Sequence, residues 1–165
     1  MLVYDAPDGR RAARIVEVEA YLGGRDPASH AFRGPTPRAA VMFGRPGVAY
    51  VYFSYGNHHC MNVVAHPAGV AGAVLLRGAE PITGLGDDAP TLAGPGRLGR
   101  AFGLTTAQSG WDLVRSPLHL RAGRPVAPAL VERTPRIGIA ESATSERAWR
   151  FSVRGSPGVT ARRRA

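Results

Sequence analysis

The sequence predicts an α/β protein with a single domain, built on a mainly antiparallel β-sheet from which a β-hairpin protrudes. Three observations support this prediction. The chain has 165 residues, of which 44% are hydrophobic, and this is enough for one substantial core but not for two. Apolar and polar residues alternate along residues 13–22, as in a half-buried strand. Two further apolar runs, residues 48–54 and 59–65, flank a short turn in the manner of a hairpin.

The alternating segment 13–22 is the first expected strand, and it ends at a pair of glycines. Its odd-numbered side chains should share one face of the strand, namely Ile15, Glu17, Glu19 and Tyr21. The even-numbered side chains face the core, which leaves the odd-numbered face free for chemistry. Residues 26–38 contain three prolines and should form a loop with a short helix at most, able to present His30.

The expected hairpin has its turn at residues 55–57, with Tyr55 at the tip. A largely buried strand should follow over residues 71–79, with Arg77 near its exit. The remaining segments carry weaker patterns. We expect a short basic helix over 96–103, short strands or turns at 111–114 and 118–120, and late strands over 135–139 and 149–154.

The charge of the chain favours polyanionic partners. The net charge is +9, and all 21 basic residues are arginines, whose planar guanidinium group suits phosphate. A GC-rich genome would also raise the arginine content, so part of this excess is open to a compositional explanation.

The cysteine and histidine content argues against a disulfide framework and against a metal or other cofactor. Cys60 is the single cysteine. The nearby histidines are His58, His59 and His66, but neighbouring strand residues point to opposite faces, so His59 could not converge with His58 and Cys60. No apolar run reaches the roughly 18 residues that a membrane helix needs, and a signal peptide is not evident. We expect a soluble cytoplasmic protein without a membrane partner.

A series of short motifs resembles the alkyladenine (3-methylpurine) DNA glycosylases. In chain order they are Val16-Glu-Val-Glu-Ala-Tyr-Leu-Gly, Thr36-Pro-Arg, Tyr50-Val-Tyr-Phe-Ser-Tyr-Gly, Cys60-Met-Asn, Val74-Leu-Leu-Arg-Gly-Ala-Glu-Pro, Gly94-Pro-Gly-Arg-Leu and Phe151-Ser-Val-Arg-Gly-Ser-Pro. Each is weak alone, but their order and spacing agree with that family. The resemblance implies a glycosylase domain over residues 1–159, followed by a basic tail at 160–165 that should be disordered. Family members usually begin with a helix and a strand ahead of the first motif, so the N-terminus is expected to be truncated.

The resemblance implies the family's curved sheet and its activity. The chain would be a monofunctional DNA glycosylase of base excision repair, which flips a damaged purine out of double-stranded DNA and hydrolyses its N-glycosidic bond. The substrates would be 3-methyladenine, 7-methylguanine or hypoxanthine, and the product an abasic site. The absence of lysine from the sequence agrees with this, because a lyase step usually needs a lysine amine. The enzyme would act as a monomer, associated with the nucleoid.

Catalysis is expected to depend on Glu19, which would take a proton from the attacking water, and on Arg77, which would hold that water or a phosphate beside it. Glu17 shares the same expected face, and either glutamate could be merely a solvated strand residue. Arg77 could instead form a structural ion pair with Glu80.

The resemblance also assigns the binding residues. Tyr21, His30 and Tyr52 would stack on the flipped base, preferring an electron-poor alkylated purine, and Asn62 would crowd the 2-amino group of guanine. Tyr55 would intercalate into DNA, with Met42 as its support or as an ordinary core residue. The candidate phosphate contacts are Arg33, Thr36, Arg38, Arg97 and Arg100.

Two other functions remain open at this point. The chain could be a catalytically inactive DNA-binding protein that senses lesions. It could also be a metal-dependent nuclease that uses Glu17 and Glu19, in which case a chelator would abolish its activity.

Overall fold

Eight strands in the described part of the chain form one antiparallel sheet. The structure is a computed structural model and describes residues 1–54, 56–86 and 92–161. The strands are β1 (Leu2–Ala6), β2 (Gly9–Tyr21), β3 (Ala49–Ser54), β4 (His58–Val64), β5 (Ala73–Thr83), β6 (Leu118–Leu120), β7 (Val131–Thr134) and β8 (Arg150–Val153). Their order is β3-β4-β5-β2-β1-β6, while β8 pairs with both β2 and β7. The prediction of a single domain on a curved, mainly antiparallel sheet is confirmed.

The long strand β2 lies at the centre of this sheet. It pairs with β5 along one edge and with β1 and then β8 along the other. Its register against β5 shifts between Ile15 and Glu17 and again between Glu17 and Val18, which marks a β-bulge. A bulge bends a strand and interrupts its alternation of faces. As a result Ile15 and Val18 both pack against the main core, so the prediction that Ile15 shares a face with Glu19 is wrong.

Strands β3 and β4 separate two layers of packing. On one face, Val51 and Met61 join the main core under helix α1 (Pro95–Ala101), which was expected as a short basic helix. On the other face, Tyr50 and Val64 pack against a smaller apolar cluster from the segment that follows β2. This second cluster fixes residues 26–43, which contain turns and a short 3₁₀ helix at Ala40–Phe43, over the sheet.

Several expected elements agree with the structure and others do not. The hairpin of β3 and β4, the buried strand β5 and the late strand β8 are present. Residues 135–139 are not a strand, because β7 ends at Thr134 and the chain then forms a loop. Strand β1 was not predicted, and it places a strand ahead of β2. Tyr55 and the end of the basic tail, residues 162–165, lie outside the described residues.

The C-terminal segment packs closely on the centre of the sheet, where β5 lacks a side chain. A Cβ atom at Gly78 would meet the carbonyl oxygen of Gly158 and would come within 3.0 Å of a Glu17 carboxylate oxygen. Gly158 in turn packs against the backbone of Ala79. The close approach of the two glycines therefore brings residues 158–160 next to Glu17.

We predict that Gly78→Ala destabilises the protein by about 2 kcal/mol, because backbone atoms cannot yield as a flexible side chain can. Urea unfolding at neutral pH measures this change, since the variant should be half-unfolded at a lower urea concentration than the wild-type protein. Gly24→Ala is the control, since a Cβ atom there would meet nothing within 4 Å. Equal midpoints for the two variants would contradict the packing described.

Candidate active site

A cleft of about 1040 Å³ opens between the sheet and the loop of residues 26–43. It brings together most of the side chains that the sequence singled out. The expected residues that line it are Tyr21, His30, Met42, Tyr52, Asn62, Arg77 and Arg97. Residues that are distant in the sequence thus converge on one cavity.

The aromatic wall of the cleft is a cluster of three rings. The His30 ring stands edge-on to Tyr52, with centroids 4.6 Å apart and an interplanar angle of 83°. Tyr50 lies beside Tyr52 at 5.5 Å, and its hydroxyl is 2.9 Å from His30 Nδ1. Tyr50 was not predicted as a site residue, although it lies two positions before Tyr52 and must share its face. The three rings hold one another in place.

His30 is an exposed residue at the mouth of the cleft and is neutral at physiological pH. Partial burial of the ring against its neighbours, and then the charge of Arg38, lower the pKa of His30 to about 4. Burial also raises the pKa of Tyr50, so its hydroxyl keeps its proton and can donate to the imidazole. His30 therefore adds no charge to the aromatic wall at physiological pH.

Glu19 lies behind the floor of the cleft, with none of its surface exposed. Its Oε1 atom accepts a hydrogen bond from the Ile137 amide at 2.8 Å. Its Oε2 atom accepts bonds from the Tyr21 hydroxyl at 3.0 Å and from Arg77 at 3.4 Å. Glu19 does not line the cleft itself, but its three donors all do. The carboxylate is thus held by polar groups at the cleft and is not directed into the apolar core.

Arg77 bridges two carboxylates. It lies 3.2 Å from Glu17 and 3.4 Å from Glu19, and its side chain is 8% exposed. It does not pair with Glu80, whose carboxylate accepts a hydrogen bond from Ser156 at 2.6 Å. The alternative of an Arg77–Glu80 ion pair is therefore wrong.

Glu17 is also buried, with 1% of its surface exposed, so neither glutamate is a solvated strand residue. It accepts a hydrogen bond from Arg150 at 2.6 Å and two from Thr160, through the amide and the hydroxyl, both at 2.7 Å. Burial alone would raise the pKa of Glu17, but the bonds from Thr160 and Arg150 outweigh it and hold the pKa below its usual range. Glu17 is therefore a buried anion.

A second buried ion pair lies behind Tyr21. Arg136 binds both oxygens of Asp26, at 2.6 and 2.8 Å, and donates to the carbonyl of Ala20 at 2.9 Å. Its guanidinium group lies between two rings, 4.5 Å from the centroid of Tyr21 and 5.0 Å from that of Trp149. The next residue along the chain supplies the amide that binds Glu19. Arg136 was not predicted, because its partner lies 110 residues earlier in the sequence.

The five candidate phosphate contacts are all exposed, but they differ in their surroundings. Arg38 lies 4.8 Å from the centroid of the Tyr52 ring and donates to the carbonyl of Phe53. The Thr36 hydroxyl accepts a hydrogen bond from the Ala39 amide at 3.2 Å and so stabilises a turn. Arg97 is at the edge of the cleft on α1, near Arg100.

Two other expected residues belong to the walls of the cleft. Met42 is only 2% exposed and packs in the smaller apolar cluster, so it supports the cleft and does not project from the surface. Asn62 is 4% exposed, and its side-chain amide donates to the carbonyl of Tyr50 at 3.2 Å. The bond fixes the orientation of the Asn62 amide group.

The described ranges contain neither a candidate metal site nor a candidate membrane helix. No three His, Cys, Asp or Glu side chains there lie close enough together to bind a metal ion. Of the helices in those ranges, none has the length and apolar character needed to cross a bilayer.

A curled sheet that carries an aromatic cleft with a buried carboxylate behind its floor is suited to an enzyme that acts on a planar base. Comparison with known proteins identifies the family. Residues 1–157 match the family model of the methylpurine-DNA glycosylases, and the chain belongs to this family.

Three similar proteins agree with this assignment. A protein of Myxococcus xanthus is 48% identical over 97% of this chain and 82% of its own length. One from Anaeromyxobacter dehalogenans is 51% identical over 92% of this chain and 71% of its own length. One from Frankia casuarinae is 47% identical over 92% of this chain and 80% of its own length. All three are named as candidate 3-methyladenine DNA glycosylases.

We predict that Asp26→Asn destabilises the protein by about 3 kcal/mol at pH 7, because it leaves the Arg136 guanidinium buried without its counter-ion. The substitution should also flatten the loss of stability in acid. Burial would raise the pKa of Asp26, but Arg136 and then Thr144 hold it below its usual range. Its stabilising effect is therefore present above about pH 4 and is lost as the pH falls through the lowered value.

Urea unfolding of both proteins at pH 7 and at about pH 3 measures the two effects. Asp8→Asn, which removes a carboxylate from a surface ion pair with Arg11, serves as the control and should cost less than about 1 kcal/mol. An Asp26→Asn protein as stable as the control variant at pH 7 would contradict the role assigned to this pair.

Proposed function

We propose that this methylpurine-DNA glycosylase is a monofunctional enzyme that excises damaged purines from double-stranded DNA. Its substrates would be 3-methyladenine, 7-methylguanine and hypoxanthine, swung out of the helix into the cleft, and its product an abasic site. The observation that carries the proposal is the position of Glu19, a buried carboxylate bound by three groups that line an aromatic cleft. The enzyme would act as a monomer at the nucleoid.

The aromatic wall, together with the Tyr21 ring that also lines the cleft, supports binding of a flipped base. Tyr21, His30 and Tyr52 present rings to a cavity of about 1040 Å³, which can contain a purine. Stacking of a base on an aromatic side chain contributes about 1 to 3 kcal/mol. Because His30 has a pKa of about 4, it adds no positive charge that would repel a cationic alkylated base. The wall can therefore accept both cationic and neutral purines.

Hydrolysis requires a base for the attacking water. In the proposed step, the water oxygen bonds to the anomeric carbon, the N-glycosidic bond breaks, and its electron pair leaves with the purine. The water proton passes to Glu19, whose negative charge also stabilises the oxocarbenium-like sugar. A carboxylate has about four acceptor positions, and the described residues donate three bonds to Glu19. One acceptor position thus stays unused, and because Glu19 has no exposed surface in the free protein, the water molecule would have to enter between its donors when the base binds.

Selection against normal guanine would come from Asn62. Its side-chain amide is fixed by the bond to Tyr50, so it cannot easily turn away from an approaching group. The 2-amino group of guanine would clash with it, whereas adenine-type bases and hypoxanthine have no substituent there. This is discrimination by an unfavourable contact with the wrong base. 7-Methylguanine carries the same 2-amino group, and its release would rely on its positive charge, which makes the purine a better leaving group than normal guanine.

Binding to the duplex would depend on the exposed arginines around the cleft. Arg33, Arg38, Arg97 and Arg100 are exposed, and the net charge of +9 attracts the phosphate backbone. Such contacts position the enzyme without reading sequence. Tyr55 is proposed, from the resemblance alone, to fill the gap left by the flipped nucleotide.

The proposal predicts that Glu19→Gln reduces base release by about 10²- to 10⁴-fold, because the amide cannot accept the water proton. The assay follows release of one hypoxanthine, or one 7-methylguanine, from a synthetic duplex. Binding of the same duplex should change less than about 3-fold, since stacking and phosphate contacts remain. The matched control is Glu132→Gln, which alters a half-buried strand glutamate that is outside the cleft and paired with Arg154.

Three results would contradict the proposal. Equal base release by the wild-type and Glu19→Gln proteins would exclude Glu19 as the base. Binding without base release by the wild-type protein would favour the inactive lesion sensor. Cleavage of the strand that stops when a chelator is added would favour the metal-dependent nuclease.

A further inference from the structure

We propose that Glu17 is a positioning residue for the hydrolysis, because it draws Arg77 partly away from Glu19 and so leaves Glu19 free to accept a proton. This inference rests on the proposed function of Glu19 as the base. Glu17 does not line the cleft and would not touch the substrate.

The distances indicate that the two carboxylates share one guanidinium group. Charge-assisted hydrogen bonds are usually about 2.7 to 2.9 Å long. Arg77 instead lies 3.2 Å from Glu17 and 3.4 Å from Glu19, so it forms a close ion pair with neither. The position of Arg77 is a compromise between two anions.

Glu17 is the better anchored of the two. Arg150 binds it at 2.6 Å, and Thr160 donates to it twice at 2.7 Å. These three short bonds, formed with β8 and with the C-terminal segment, prevent Glu17 from moving toward Arg77. Arg77 must therefore reach across to Glu17, which limits how closely it can approach Glu19.

The sequence around β2 explains how two carboxylates come to share one cation. Glu17 and Glu19 lie two residues apart on β2 and share a face, whereas the bulge between Ile15 and Val18 places Ile15 on the opposite one. Gly78 lies opposite Glu17 on β5 and leaves room for its carboxylate. Arg77, the neighbour of Gly78 in the chain, then lies between the two glutamates.

The charges around Glu19 balance only if Glu17 is ionised. Arg77 on β5 and Arg150 on β8 offset Glu17 and Glu19 on β2. The other charged or titratable groups facing Glu19 are Arg136, which is paired with Asp26, and the Tyr21 hydroxyl. Burial and the charge of Glu19 raise the pKa of Tyr21, so this hydroxyl is neutral. Neutralising Glu17 would leave one excess positive charge beside Glu19.

The first test is the pH dependence of base release by Glu17→Gln. With Glu19 as its only carboxylate partner, Arg77 should bind Glu19 more closely and keep it ionised at lower pH. The acidic limb of the pH–rate profile should then move to lower pH by about one unit. The rate at neutral pH should fall about 3- to 10-fold, because a carboxylate held more tightly is a weaker base.

Two further variants test the direction of this shift. One should move the acidic limb the opposite way, and the other should restore its wild-type position. Arg150→Gln removes a cation that binds Glu17 and not Glu19, so the acidic limb should move to higher pH. The double variant Glu17→Gln/Arg150→Gln restores the charge balance, and its limb should return close to the wild-type position. A purely structural role for Glu17 would lower the melting temperature of all three variants without moving the limb in opposite directions.

An NMR titration separates this inference from the proposed function. Carbon-13 labelling of the glutamate side chains allows the Glu19 carboxyl signal to be identified by its loss in Glu19→Gln. Its midpoint should move in the same directions as the acidic limb, whether or not any base is released. Absence of base release by the wild-type protein would therefore overturn only the proposed function.

An unmoved Glu19 midpoint in folded Glu17→Gln and Arg150→Gln proteins would overturn the role of Glu17. If Glu17→Gln does not fold, the Arg150→Gln protein decides the question by comparison with the wild-type protein. A Glu19 midpoint at higher pH in Arg150→Gln than in the wild-type protein supports the inference, and equal midpoints overturn it.

Discussion

The rest of the site depends on one interaction, in which the Arg77 guanidinium group is shared between the carboxylates of Glu17 and Glu19. Taking two carboxylates out of water costs several kcal/mol per ion unless cations and hydrogen-bond donors replace the solvent. In this protein the groups that replace the solvent are Arg77, Arg150, the Thr160 hydroxyl and backbone amides. Since each of these groups comes from a different segment, the network also fixes those segments relative to one another.

Strand β2 connects the ion pairs to the cleft. It carries Glu17 and Glu19, and Tyr21 at its end contributes both a ring for the cleft and a hydroxyl for Glu19. Arg136 packs on the other side of that ring while its chain neighbour binds Glu19. The orientation of the Glu19 carboxylate and the position of the Tyr21 ring are therefore coupled, since a shift of the Arg136 segment would alter both.

Local patterns in the sequence were sufficient for the parts of the fold that depend on short-range regularity. The alternation before Gly23 predicted that Glu19 and Tyr21 lie on one face, and the two runs around residues 55–57 predicted the hairpin. The bulge at Glu17 was not predictable, because an extra residue in a strand leaves no mark on composition. Strand β1 was also missed, since its five residues are too few to establish a period.

The ion pairs could not be inferred from the sequence because their partners are far apart in the chain. Glu17 and Arg150 are separated by 133 residues, and Asp26 and Arg136 by 110. With 21 arginines and 12 acidic residues in the chain, charge alone does not indicate which pairs form. The resemblance to a known family identified Glu19 and the aromatic residues as candidates, but the network that holds them became visible only in three dimensions.

The most direct test of the role of the cleft and Glu19 is a crystal structure of the Glu19→Gln protein bound to a duplex with a single hypoxanthine. We expect the base to lie in the cleft against Tyr21, His30 and Tyr52. The anomeric carbon of the flipped nucleotide's sugar should face the side chain at position 19, with room for one water molecule between them. A base that remains stacked in the duplex, or that binds outside the cleft, would show that the cleft beside Glu19 is not the site of base excision.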